Sequence, residues 1–253
     1  MLISVIVTTY NRPDYLSAVL RSLFHQTDRN FEIIVADDGS GPETQTVIRQ
    51  HQGVRHVWHE HNGFRAAEIR NRAIVAAKGD YLIFSDGDCI MPSRFVATHR
   101  RLAERDWFVP GKRVFLSRSF TERVLRDDLQ PEQFGLAQWI RRRANGDVSR
   151  FGILASLPLG PLRKLSPNKW KSAQTCNLGV WRSDIERVGG FDVRYVGWGL
   201  EDSDFVVRLL RSGVQRKSGR FACAVIHLWH PQESKHTPAN TALFKAMLEQ
   251  NAQ

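Results

Sequence analysis

Cysteine is scarce: the 253 residues hold three, Cys89, Cys176 and Cys223. An odd and scattered set excludes a disulfide framework and offers no paired CxxC zinc site, so reduced thiols are expected. Long apolar runs are missing as well. None approaches the roughly 20 residues that a membrane-spanning helix requires. The run from Leu2 to Val7 is apolar but short, has no basic leader, and passes directly into Thr8-Thr9-Tyr10-Asn11, so it reads as a strand rather than a signal peptide. A cytoplasmic location is the expectation. Acidic residues are also under-represented, 26 against 36 lysines and arginines, which leaves a net charge of +10. That surplus implies an anionic partner, whether nucleic acid, a lipid surface or a phosphorylated small molecule, and charge alone does not choose among them.

What is present is a soluble, globular composition, 42% hydrophobic, with no clear linker. One α/β domain over 1–253 is expected. The first ninety residues alternate strand and helix patterns, which favours a mostly parallel central sheet with helices on its faces. Strands are predicted at Ile3–Val7, Ile33–Ala36, Val54–Trp58 and Tyr81–Phe84. Helices are predicted after Asn11-Arg12-Pro13, over Thr44–Gln50 and over Ala66–Ala77. The first helix repeats Leu16, Val19, Leu20, Leu23 and Phe24 at three- and four-residue spacing, so one face should cover the sheet. Beyond Trp107 the pattern weakens, and 106–172 reads as a basic insertion or lid between a nucleotide-sugar half at 1–105 and a catalytic, acceptor-binding half at 173–253.

Each polar cluster follows a strand. Thr8-Thr9-Tyr10-Asn11, Asp37-Asp38-Gly39-Ser40 and Ser85-Asp86-Gly87-Asp88 therefore converge on the carboxyl edge of one sheet, where open α/β proteins bind ligands. Asp86 and Asp88 flank a glycine, so the turn can present carboxylate oxygens, and such hard ligands suit Mg2+ or Mn2+. An ordinary Asp-Gly turn is the competing reading. Asp38, Thr8 and Tyr10 could meet around a base and ribose. Arg65, Arg70 and Arg72 add positive charge beside them, with Arg65 and Arg72 on one helix face from which either could approach a diphosphate.

Val5-Ile6-Val7-Thr8-Thr9-Tyr10-Asn11, Val35-Ala36-Asp37-Asp38-Gly39-Ser40 and Asp86-Gly87-Asp88 resemble, in order and spacing, family 2 glycosyltransferases of the GT-A fold, a Rossmann-like nucleotide-binding architecture. The resemblance implies that the first two motifs, through Thr8, Tyr10, Asn11 and Asp38, hold uridine. It makes the third the DxD motif, with Asp88 the direct metal ligand and Asp86 oriented toward ribose or metal. Asn177 to Arg182, Gly189-Gly190-Phe191-Asp192 and Gly197-Trp198-Gly199-Leu200-Glu201-Asp202 resemble the catalytic half of bacterial chondroitin-polymerase-like enzymes and β1,4-galactosyltransferases. The matched stretches cover about 2–105 and 173–230, leaving the basic middle without a counterpart.

An inverting transfer needs a carboxylate to take a proton from the acceptor hydroxyl as it attacks the anomeric carbon. Glu201 and Asp202 are neighbours, and if a helix begins there with Phe205, Val206 and Leu209 buried, only one of them faces the sugar squarely. The resemblance implies Asp202 as base and Glu201 as binder of sugar hydroxyls; the plainer alternative is an acidic cluster complementing a helix N-terminus. Gly197 and Gly199 would let the chain bend around a ligand, and Trp198 would offer a sugar an apolar face unless it is a core residue. In Val225-Ile226-His227-Leu228-Trp229-His230-Pro231, the related enzymes place a histidine that completes the metal site; His227 matches better than His230, and both remain candidates. Zinc held by Cys223 and these imidazoles lacks a fourth ligand.

Trp139 to Arg143 and Leu162 to Lys171 mix cations with apolar residues, a composition suited to an anionic membrane surface or to a solvated loop. Together these features lead to the expectation of an inverting transfer of a hexose or N-acetylhexosamine from a UDP-sugar to a glycan or glycolipid acceptor, in bacterial lipopolysaccharide, capsule or related polysaccharide assembly. A retaining or different nucleotide-sugar enzyme on the same fold is the nearer alternative. Nucleic-acid binding is the remoter one, since no nucleic-acid motif is present.

Overall fold

The computed structural model describes residues 1–231 and 237–249; within the expected 173–253 half, 232–236 and 250–253 lie outside the described residues. Strands β1 (Ile3–Thr9), β2 (Phe31–Asp37), β3 (Val54–Trp58) and β4 (Tyr81–Asp86) alternate with helices α1 (Pro13–Phe24), α2 (Pro42–Gln50) and α3 (Ala66–Ala76). Then come β5 (Cys89–Ile90), α4 (Phe95–Leu102), β6 (Trp107–Pro110), β7 (Lys112–Phe115), α5 (Arg118–Arg126) and α6 (Leu136–Ala144). The chain continues through β8 (Asn177–Trp181), α7 (Arg182–Arg187), α8 (Glu201–Arg211), β9 (Gln215–Arg216), β10 (Ala224–His227) and α9 (Pro238–Glu249). The main sheet runs β3-β2-β1-β4-β8-β6-β9, and a smaller one runs β5-β10-β7. Strands β1 to β4 are mutually parallel, and β8 enters antiparallel to both β4 and β6.

Period-two alternation explains why these strands are apolar throughout. Val5, Val7, Ile33, Val35 and Ile83 face one side and pack with Leu16, Val19, Leu20 and Leu23 of α1. Ile6, Ile34, Ala36, Leu82 and Phe84 face the other, where Ala67, Ile69 and Ala73 of α3 meet Phe205, Val206 and Leu209 of α8. Pro13 starts α1 at a position where its missing N–H costs nothing. The expected apolar face of α1 is buried except at its last member: Phe24 is 40% exposed beside His51.

Residues 106–172 are less separate than an insertion. The first ten supply β6 to the main sheet and β7 to the small one. These strands are too short for periodicity to reveal, and one glycine, Gly111, divides them. The small sheet matters for placement, because β10 lies antiparallel to β5 with His227 paired to Cys89. That register carries a histidine from the far end of the chain to the Asp86-Gly87-Asp88 turn.

The aromatic cluster of Phe84, Phe191 and Phe205 joins the two halves, with ring centroids 4.2 to 6.3 Å apart. Phe84 and Phe205 are fully buried. Phe84→Ala is expected to cost about 3–5 kcal/mol in urea-induced unfolding, the range for deleting a buried aromatic side chain. A loss under about 1 kcal/mol would mean that the halves are held by something else.

Candidate active site

Register places the polar clusters level with one another. Thr8 lies beside Asp86 on one side and Ala36 on the other, Thr9 beside Asp37, and Asp37 beside Trp58. Asp37 is structural: its carboxylate accepts the Ser40 amide and meets His56 Nε2 at 2.9 Å. Asn11, at φ 45°, accepts the Gly41 amide, while its own amide donates to Ser40 Oγ, so it laces the first two strand-end loops together. Buried Asp38 meets His59 Nε2 at 2.6 Å and accepts the Arg65 amide at 2.9 Å. Tyr10 stacks on His61 with centroids 4.3 Å apart and remains 38% exposed.

The arginines separate. Arg65 turns its guanidinium to Glu68 and the Glu60 carbonyl, and Arg72 also pairs with Glu68, so the expected approach of this helix face to a diphosphate is replaced by a salt-bridged surface. Arg70 points inward and is buried. It donates to Thr8 Oγ1 at 3.2 Å and Glu201 Oε1 at 2.9 Å, and lies 3.5 Å from Asp86 Oδ1. Burial disfavours its charge, but Glu201 and Asp86 outweigh that and keep it cationic.

Glu201 and Asp202 open α8, preceded by a loop of unusual backbone. Gly197, Gly199 and Leu200 all adopt the left-handed region, at φ 81°, 99° and 76°. Glycine takes this conformation freely; Leu200 is a strained exception at the cap position itself. The loop is held by the Gly197 amide donating to the Phe64 carbonyl and by buried Asn240 donating to the Gly199 carbonyl. Trp198, 39% exposed, is not a core residue. Glu201 Oε2 is buried without a hydrogen-bond partner. Asp202 is pushed up to about 7, chiefly by burial and then by the neighbouring Glu201 charge, against the pull of Arg70. Burial likewise lifts Asp86 to about 6.

Asp88 lies in the opposite regime. Burial acts to raise it, but the hydrogen bond from His230 and the field of His227 win and hold it near 2. His230 Nε2 is 3.0 Å from one carboxylate oxygen and His227 Nε2 3.7 Å from the other. Burial lowers His227 to about 4, so at neutral pH its imidazole offers a lone pair, whereas the bond to Asp88 raises His230. One ligand atom from each of Asp88, His227 and His230 falls within 4.8 Å of the others. A carboxylate with two imidazoles is a donor set for a divalent cation with open positions. Tyr15 donates to the Trp229 carbonyl, and the Trp229 amide donates to Thr121, which fixes the histidine segment. Beside it lies a cavity of about 300 Å3 walled by Phe115 and Trp229.

Sequence reasoning missed His59 and His61, although they sit at the end of β3 as plainly as the other clusters end their strands. It also missed Arg12, 3.7 Å from Asp88, and Arg113, whose charge acts on both Asp86 and Asp88. Arg113 lies in the stretch where periodicity fails. Asn240 had no signal short of three-dimensional structure.

Residues 4–153 match the family described as glycosyl transferase family 2, more than half of the chain. The chain belongs to glycosyl transferase family 2. Residues 164–231 of this transferase also match the description "N-terminal domain of galactosyltransferase". It is 30% identical over 225 residues to a hyaluronan synthase of Pasteurella multocida, covering 83% of this chain and 23% of that protein. Against a validoxylamine A glucosyltransferase of Streptomyces hygroscopicus subsp. jinggangensis it is 30% identical over 224 residues, 84% of this chain and 52% of the other. A chondroitin synthase of Escherichia coli is 26% identical over 241 residues, 88% of this chain and 34% of that one. The transferase thus spans between about a quarter and about half of these curated relatives. In fold it is similar to S. aureus TarS 1-349 in complex with UDP-GlcNAc, with TM-score 0.64, 16% identity, and coverage of 94% and 62% of the two chains. It is also similar to the mannosyltransferase PcManGT from Pyrobaculum calidifontis in complex with GDP-Man and Mn2+, with TM-score 0.59, 18% identity, and coverage of 99% and 68%. The architecture is the GT-A glycosyltransferase fold, as the sequence resemblance implied.

Because Arg70 and Glu201 are both buried, removing one strands the other's charge. Arg70→Met is expected to destabilise the glycosyltransferase by about 3–5 kcal/mol, with Arg70→Met/Glu201→Gln less unstable than the two single changes added together. Strictly additive losses in a double-mutant cycle would show that the pair does not couple the halves.

Proposed function

We propose that this glycosyltransferase is inverting and metal-dependent, moving a hexose or N-acetylhexosamine from a UDP-sugar to a glycan or glycolipid acceptor. The observation that carries the reading is the division of the carboxylates. Asp88 is held ionised among imidazoles, while Asp202, next to Glu201 at the start of α8, is raised by burial to the range of a general base. Tyr10, Asp38 and Thr8 are the donor's uridine contacts, with Asn11 and the Arg65 amide shaping that pocket. Asp86 faces the ribose or the metal, and Arg70 orders it. The cation, Mn2+ or Mg2+, would be held by Asp88 with His227 and His230, and Asp86-Gly87-Asp88 is then the DxD motif. When bound it supplies neutralisation of charge on the leaving diphosphate.

Asp202 takes the proton of the acceptor hydroxyl. That oxygen forms the new bond to the anomeric carbon while the bond to the UDP oxygen breaks and its electron pair leaves with UDP. The unpartnered oxygen of Glu201 accepts from an acceptor hydroxyl, and Trp198 with Gly199 forms the acceptor's platform. Work in bacterial lipopolysaccharide, capsule or related polysaccharide assembly fits this chemistry, at the cytoplasmic face of the membrane. Peripheral attachment at that face is part of the proposal; no described helix is long and apolar enough to cross a bilayer.

A screen of UDP-sugars for Mn2+-dependent hydrolysis or thermal stabilisation tests the donor, and no response to any uridine nucleotide would sink it. Asp202→Asn is expected to lower transfer by about 10²–10⁴-fold while leaving UDP binding intact. Asp88→Ala is expected to weaken Mn2+-dependent UDP binding. Equal loss of UDP affinity in both would overturn the division into donor and acceptor halves. The base works ionised, so the turnover of the wild-type enzyme should fall tenfold per unit as pH drops below about 7. A rate flat from pH 8 to about pH 5 would remove Asp202 from this role.

A further inference from the structure

Most of the chain's positive charge lies away from the proposed active site, and part of it is gathered with little compensation. Lys112 donates to Ser172 Oγ, and besides burial the charges of Arg216, Lys169 and Arg220 lower its pKa. These four cations make no ion pair among the described residues. Lys164 and Lys217 share one carboxylate, Glu104. Between 129 and 172 the sequence has two acids, Glu132 and Asp147, and both are buried. Like charges crowded without counter-ions weaken a fold unless an anion binds them.

Apolar residues are displayed on the same stretch. Leu157, Leu162 and Leu165 are 42%, 59% and 75% exposed. Their loop is tied down rather than loose. Buried Arg163 donates to the carbonyls of Leu157, Ser218, Arg220 and Phe221, and the Leu157 amide donates to the Phe221 carbonyl. Leu157 and Lys164 also line a cleft of about 610 Å3 with Arg101 and Lys217. In the other basic stretch noted in the sequence, Trp139 is buried against Phe134 and Arg142 is paired with Asp147, while Leu136 and Ile140 are exposed.

We propose that the 157–171 surface, with Lys112, Lys217 and Arg220, docks the enzyme on an anionic phospholipid bilayer, Leu162 and Leu165 entering the interface and the cations meeting headgroup phosphates. Charge complementarity selects an anionic partner, and the exposed leucines favour a bilayer over a soluble polyanion, which would offer them nothing. Neighbouring residues of β7 point to opposite faces, so Lys112 faces this patch while Arg113 faces Asp86 and Asp88, and docking leaves the donor site open. The inference rests on the membrane-face location proposed above, and specifies the surface responsible.

Sedimentation of the purified chain with phosphatidylglycerol-containing vesicles, against pure phosphatidylcholine vesicles, tests it. Binding to the anionic vesicles alone is expected, weakening with salt. Leu162→Asp/Leu165→Asp and Lys169→Glu/Lys171→Glu should each reduce it by at least roughly tenfold, with UDP-sugar hydrolysis and melting temperature unchanged. Unaltered vesicle binding in both variants would overturn the proposal. So would RNA or heparin binding that needs Lys169 and Lys171 but not the leucines, with no vesicle binding. Vesicle binding that follows the expected pattern in a chain that hydrolyses no UDP-sugar would sustain the docking surface and defeat only the donor assignment.

Discussion

A cation buried between three strand and helix ends is the constraint on which the site depends. Arg70 is costly to bury, and is stable there only because Glu201, Asp86 and Thr8 surround it. Glu201 lies 131 residues away in sequence, so this contact closes the donor half onto the half that holds the proposed base. It also makes the acidic cluster tolerable. Without the Arg70 guanidinium, Asp86, Glu201 and Asp202 would face one another with only the charge of Arg113 acting on Asp86. With it, Asp86 and Glu201 are engaged and Asp202 is left protonation-sensitive near neutrality.

The arrangement separates two kinds of carboxylate that look equivalent in sequence. Asp86 and Asp88 are two residues apart, yet burial raises the first despite the pull of Arg70, while for the second the effect of burial is outweighed by His230 and His227, which lower it. A β-turn explains the divergence, since its two ends leave in different directions, one toward β4 and the other into the small sheet. The pairing of β5 with β10 then places His227 beside Asp88.

Much of this was legible in the sequence because strong periodicities and strand-end clusters coincide. Apolar β1 to β4, the α1 face and the buried side of α8 follow from spacing, and the convergence of Thr8, Asp38 and Asp86 follows from their positions after parallel strands. The Asp88, His227 and His230 grouping came from family resemblance, and the geometry brings all three together without separating the two imidazoles. Less visible were features that depend on tertiary contact. The fate of Arg65 was decided by Glu68, one turn along, and that of Asn240 by a backbone carbonyl of a distant loop. Short strands such as β6 and β7 carry too few residues for a period to emerge, so Arg113 went unnoticed.

The central claim is that Asp202 and the leaving UDP act on opposite faces of one anomeric carbon. Time-resolved NMR of the first-formed product tests this most directly. Inversion of the anomeric configuration relative to the UDP-sugar is the predicted result; retention would contradict the account.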